Sequence, residues 1–172
     1  MVRDATVGDA RGIAEVQVAA WRAAYRGILP GQLLDDLSVG LREDFWLSHL
    51  HGRDHPGFTL VAEEAGSVAG FCSVVLPSRD EGAGDRTAEI VATYVDPGRW
   101  GQGVGRELLG RARDRLLGGD WDDVTLWVFM RNAHGRAFYA RSGFRLDGTK
   151  GAHEPSGVST VRMRLALTPS PT

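Results

Sequence analysis

The stretch Asp96-Pro97-Gly98-Arg99-Trp100-Gly101-Gln102-Gly103-Val104-Gly105-Arg106 joins an apolar run, Thr87–Val95, to a segment of helical periodicity. Pro97 cannot donate to a sheet ladder and ends the strand. Gly101, Gly103 and Gly105 keep Cβ atoms out of the turn. Successive backbone N–H groups can then converge on an anion, with the positive end of a helix behind them. Arg99 and Arg106 add fixed positive charge. Such a turn suits a pyrophosphate, although read alone it is equally a plain glycine-rich passage from strand to helix. Two common nucleotide signatures fail on it. G-x-G-x-x-G would need glycine where Arg106 stands, and the P-loop would need Gly-Lys-Ser/Thr.

Working outward, the helix after this turn spans Gly103–Leu117, with Val104, Leu108, Leu109, Ala112 and Leu116 on one face. Gly118-Gly119 stops it, Asp123–Met130 reads as a strand, and Asn132 is a good N-cap for a helix over Ala133–Ser142. Gly143 ends that helix, and Phe144–Gly148 and Val158–Leu167 read as two closing strands. Upstream, Phe58–Glu64 and Ser67–Pro77 flank Ala65-Gly66 as a hairpin, and the polar Ser78–Arg86 segment reads as a mobile loop. At the N-terminus, Val2–Thr6 is a short edge strand and Thr6-x-x-Asp9 resembles a capping box. Helices follow over Val7–Arg26, Leu33–Leu37 (opened by Pro30) and Leu41–His51. The order predicts a mixed α/β (α+β) design around one central sheet.

The 172 residues suit a single domain over 1–167, with 168–172 a frayed tail. Hydrophobic residues are 42% and charged residues 24%, which excludes collagen, coiled coil and wholesale disorder. The net charge of −2 gives no basic field for nucleic acid. No run of about 18 apolar residues predicts a membrane span. A lone cysteine, Cys72, excludes a disulfide framework, and the lack of a signal-peptide core points to the cytoplasm. His49, His51 and His55 have no prescribed metal-ligand spacing and read as solvated, so no metal is expected.

A second stretch narrows the reading. Val128-Phe129-Met130-Arg131-Asn132-Ala133-His134-Gly135-Arg136-Ala137-Phe138-Tyr139-Ala140-Arg141-Ser142-Gly143-Phe144 closely resembles motif B of the GNAT superfamily of acyl-CoA N-acyltransferases. There an asparagine caps a helix and a Phe-Tyr pair precedes a Gly-Phe ending. The pyrophosphate turn resembles motif A, Gln/Arg-x-x-Gly-x-Gly/Ala, with Gly103 and Gly105 matching and Trp100 standing at the Gln/Arg position. The two motifs are separated by one helix and one strand, in family order. The likeness covers about Phe58 to Leu167; the first 57 residues match in layout, with a Trp21…Tyr25…Leu29-Pro30 pattern.

The resemblance implies a GNAT fold, a central, mostly antiparallel sheet of six or seven strands flanked by helices. It also implies acetyl transfer from acetyl-CoA to a primary amine of a small molecule or peptide, by direct attack in a ternary complex. Its cofactor contacts would fall on Tyr94, Val95, Arg99, Gly101, Gln102, Gly103, Val104, Gly105, Arg106 and Asn132. Tyr139 matches the family's general acid; composition alone favours a core tyrosine, and the two motifs together reverse that. Glu89 is the candidate base: it precedes Val95 by six residues, which puts both on one face of a regular strand. The ribosomal-protein-acetylating branch has glutamate where Trp127 stands, so Trp127 is expected to wall the acceptor pocket or pack in the core. Trp21 and Tyr25 would border that pocket and suit an apolar or cationic acceptor, or cover the sheet as an amphipathic stripe. A homodimer is open by family analogy. The rival readings are a non-catalytic CoA-binding domain and an acyltransferase using a longer acyl-CoA.

Overall fold

The computed structural model describes residues 1–52 and 56–167. Its sheet has seven strands: β1 (Val2–Asp4), β2 (Gly57–Glu64), β3 (Ser67–Val75), β4 (Thr87–Val95), β5 (Asp123–Phe129), β6 (Arg145–His153) and β7 (Val158–Ala166). Their spatial order is β1-β2-β3-β4-β5-β7-β6. Every pair is antiparallel except β4 with β5, which a helix joins. That helix is α4 (Val104–Leu117); α1 (Ala10–Ala24), α2 (Gly31–Asp35), α3 (Val39–His51) and α5 (Ala133–Arg141) complete the set.

Both faces of the sheet are packed with apolar side chains. Leu108, Leu109, Ala112 and Leu116 of α4 bury against Cys72, Val74, Ile90, Leu126 and Met163. On the other face Ile13 and Val16 of α1 and Trp46 of α3 pack on Val61 and Phe71. The N-terminal turn is held by Asp9, whose carboxylate accepts from the Thr6 N–H at 2.7 Å and from both terminal nitrogens of Arg3 at 2.8 Å. Asp9 is 9% exposed, and the Arg3 hydrogen bonds pull its carboxyl down to about 2.

Local signals place several boundaries well. The β2–β3 turn is Ala65-Gly66, both in the left-handed region, as a two-residue hairpin turn requires. Asn132 caps α5 by accepting from Gly135 N–H at 2.9 Å. Other boundaries move. α2 begins at Gly31 and α3 at Val39, whose preceding Ser38 Oγ accepts from Leu41 N–H. β6 runs on to His153, five residues beyond its expected end at Gly148. Three of its residues, Asp147–Thr149, bulge opposite Arg162, whose Nε donates to Asp147 at 2.7 Å. The expected mobile loop is anchored at its start: Asp80 accepts from Trp127 Nε1 at 2.8 Å. His49 and His51 sit at the end of α3, while His55 and the expected 168–172 tail lie outside the described residues. Among the described residues no helix is long and apolar enough to cross a membrane, and no three metal-ligating side chains gather.

Candidate active site

β4 decides the site. It pairs with β5 only from Thr87 to Ile90, and the two strands separate beyond that point. On its other edge it pairs with β3, where Val74 faces Ile90 but Ser73 faces Ala92. Val91 is therefore an extra residue, a bulge that switches the faces of all that follow. Before it, Ile90 packs on the α4 face; after it, Val95 does, while Ala92 and Tyr94 turn to the α1 face. The shared face expected for Glu89 and Val95 does not hold, because six residues that include one bulge change parity.

The gap opens one cavity of about 1340 Å³ lined from both faces of the sheet. On the α4 side lie Val95, Arg99, Gly101, Gln102, Gly103, Val104, Gly105, Arg106 and Asn132, with Phe138 and Tyr139 of α5. Gly103 caps α4 at φ +89° and Gly101 lies at φ +78°, conformations that L side chains rarely adopt. The first backbone bond of α4 runs from Glu107 N–H to Gly103 at 3.0 Å, so the amides of Val104, Gly105 and Arg106 remain available to an anion. Arg106, Arg113 and Arg141 also line the cavity; Arg99 lines it too but pairs with Glu64 at 2.9 Å. Trp100 fills its place differently from a Gln or Arg. Its indole N–H donates to Val95 O at 2.8 Å, and its ring stacks on His134 at 6.2 Å.

On the α1 side the lining is aromatic: Trp21, Tyr25, Tyr94, Trp127, Phe129 and His153. Tyr25 and Tyr94 share a hydroxyl contact of 3.2 Å, and Phe129 meets Tyr25 edge-on at 4.8 Å. Tyr94, expected among the cofactor contacts, thus faces the opposite side from Val95. Trp127 is held by Asp80 and lies under Arg162, 5.8 Å from its ring. Burial pushes the Tyr25, Tyr94 and Tyr139 phenols upward, so all three are neutral donors at ordinary pH.

Glu89 is not among the lining residues. It is 5% exposed, and its carboxylate accepts from Arg79 N–H at 3.0 Å and from the Ser78 hydroxyl at 3.4 Å. No Asp or Glu lines the cavity among the described residues. Sequence reasoning missed Phe129 and His153. The first stands two residues after Trp127, where strand alternation would have pointed to it. The second lay beyond the strand as predicted, in a polar run without alternation.

The acetyltransferase (GNAT) family model matches residues 18–144 of this sequence. The chain belongs to the GNAT family. This GNAT protein is 36% identical over 131 residues to YuaI, an uncharacterized N-acetyltransferase of Bacillus subtilis (strain 168), covering 76% of this chain and 72% of that one. Its fold is similar to that of PaiA N-acetyltransferase from Thermoplasma acidophilum, solved in complex with coenzyme A (TM-score 0.75, 19% identity, 96% and 98% of the two chains). It is also similar to YncA from Salmonella typhimurium, solved with its cofactor acetyl-CoA (TM-score 0.70, 22% identity, 100% and 96% of the chains).

Proposed function

We propose that this protein transfers an acetyl group from acetyl-CoA to a primary amine of a small molecule or peptide, both bound at once in the cavity between β4 and β5. The observation that carries this reading is the cavity itself. It is lined on one face by free helix-N-terminal amides and arginines and on the other by aromatic side chains, and it is continuous through the sheet. The PaiA and YncA complexes, with coenzyme A and acetyl-CoA, support the choice of cosubstrate.

Acetyl-CoA supplies a thioester whose C–S bond breaks as the amine nitrogen bonds to the carbonyl carbon. The amides of Val104, Gly105 and Arg106, with Arg106, hold the pyrophosphate. The Val95 N–H lies on the edge of β4 released from β5 and is the donor for the carbonyl oxygen. Trp100 fixes the orientation of that residue through its carbonyl. Tyr139, neutral and desolvated, gives its proton to the departing sulfur. An alkylammonium, near pKa 10.4 when free, finds no carboxylate in the lining to stabilise it, which favours the neutral amine as the bound form. Glu89 acts at one remove, holding Ser78 and Arg79 and so the Asp80–Trp127 wall.

Calorimetric titration with acetyl-CoA, CoA and ATP, followed by a thiol-release assay on a panel of amines, tests this. Micromolar binding of acetyl-CoA but not ATP, with amine-dependent CoA release, is expected. Binding without turnover on any amine would favour a CoA-sensing domain, and equal binding of ATP would overturn the reading.

A further inference from the structure

Resting on the transferase reading above, we propose that His153 is the general base that takes the proton from the acceptor amine, through the lone pair of its Nε2. His153 ends β6 and lines the aromatic side of the cavity, 5.9 Å from the Trp21 ring and 5.3 Å from Phe129. Ser156, in the turn to β7, is the hydrogen-bond partner of its Nδ1. The Ser156 hydroxyl donates to the His153 carbonyl at 3.2 Å and accepts from Val158 N–H at 3.3 Å. In the tautomer assigned to the reactive ring, the hydroxyl proton stays on the carbonyl and Oγ accepts from Nδ1 at 2.8 Å. Nδ1 then carries the proton, and Nε2, for which no hydrogen-bond partner is found among the described residues, is the acceptor.

The surroundings keep the ring neutral. Burial pushes its pKa below the usual histidine value. Glu154, exposed beside it, pulls the other way, and Arg42 of α3 adds to the lowering. Arg42 stands over the Trp21 ring at 5.5 Å. The titratable groups facing from α1 and β4, Tyr25 and Tyr94, are neutral phenols. In the reaction the N–C bond forms as the C–S bond breaks. The nitrogen's proton passes to Nε2, directly or through one water, and the sulfur takes the Tyr139 proton. Proton return through solvent restores imidazole and phenol.

The test pairs His153→Gln with Ser156→Ala in the full chain. His153→Gln is expected to lower kcat/KM about a hundredfold at pH 7 and to abolish the acid limb of its pH profile. Acetyl-CoA affinity and the thermal midpoint should stay near those of the wild type. Ser156→Ala is expected to keep an acid limb but shift it, the mark of a positioning residue. Nitrogen-15 NMR of the wild type gives a readout free of activity: Nδ1 protonated, Nε2 bare, and a midpoint below about 6.5. An unchanged acid limb in a folded His153→Gln, or a protonated Nε2 in the neutral ring, overturns the assignment while leaving the transferase reading intact. Absence of acetyl-CoA binding or of turnover in the wild type would instead remove that reading, and this one with it.

Discussion

Gly103 and Gly105 stand two residues apart in one motif, yet different forces require them. Gly103 sits at φ +89°, and a Cβ there would meet nothing nearer than Arg106 Nη2 at 3.8 Å. Its constraint is conformational. An alanine held in the left-handed region costs about 1–2 kcal/mol, whereas asparagine, which tolerates that region, costs less. Gly105 has an ordinary helical backbone, but its Cβ would lie 3.0 Å from Phe138 Cζ and 3.3 Å from Cε2. Its constraint is packing between α4 and α5, worth about 1–3 kcal/mol against a gain of about 1 kcal/mol in helix propensity. Gly103→Ala should therefore lower the thermal midpoint by about 2–8 °C, or relax the turn and surrender the same free energy as a 5- to 30-fold loss of CoA affinity. Gly103→Asn should recover much of either loss. Gly105→Ala should leave CoA affinity nearly intact and act mainly through the ring next to Tyr139, lowering kcat. Thermal melting with calorimetric CoA titration separates these outcomes. If Gly103→Asn is as damaging as Gly103→Ala, backbone conformation is not the reason for glycine. If Gly103→Ala is stable and binds CoA normally, the cradle lies elsewhere.

Three further outcomes follow from the same geometry. Tyr139→Phe keeps the ring against Phe138 and Phe144 and should lower kcat at least tenfold with acetyl-CoA affinity unchanged; an unaltered kcat would remove Tyr139 from the acid role. Glu89→Gln should keep the acid limb of the pH–rate profile and weaken acceptor binding through the loosened Ser78–Asp80 wall; loss of that limb would restore Glu89 as the base. Asp9, lowered from 3.8 to about 2, contributes about 2 kcal/mol that is fully present above pH 4 and disappears as pH falls toward 2. Asp9→Asn should lose that amount at neutral pH and flatten urea stability between pH 4 and 2; a parallel acid decline in both proteins would place the effect on other carboxylates.

The sequence was most legible where a single residue forces the backbone. Pro97, Gly103, Asn132 and Gly143 each dictate a local conformation, and the elements they bound begin or end within about two residues of the expected positions. It was least legible where pairing partners decide. β6 is an edge strand exposed on most of both faces, so Arg145–His153 carries no alternation to read, and only its ladder with β7 defines it. His153 was hidden by that same absence. The motif glycines and Tyr139 were legible by resemblance, and the cavity brings them together. Glu89 was misplaced for a narrower reason. Ile90, Val91 and Ala92 are all apolar, so nothing in their chemistry says which of them is the extra residue.

That extra residue also explains why the site can exist at all. A regular β4 would keep Tyr94 on the α4 face and offer Val95 to the α1 side. The bulge at Val91 reverses both assignments, so Tyr94 meets Tyr25 while Val95 packs toward α4. The same distortion coincides with the end of pairing to β5, and the backbone groups of β4 beyond Ile90 lose their ladder partners on that edge. Those groups are costly to leave unpaired. One of them, the Val95 carbonyl, is taken by the Trp100 indole, the residue that departs from the family's polar position. Where the family resemblance would put a polar side chain toward the cofactor, the indole instead satisfies a carbonyl of the strand. The Val95 N–H on the same edge has no ladder partner on β5, so the bulge, the indole and the open seam all act on one short stretch of β4.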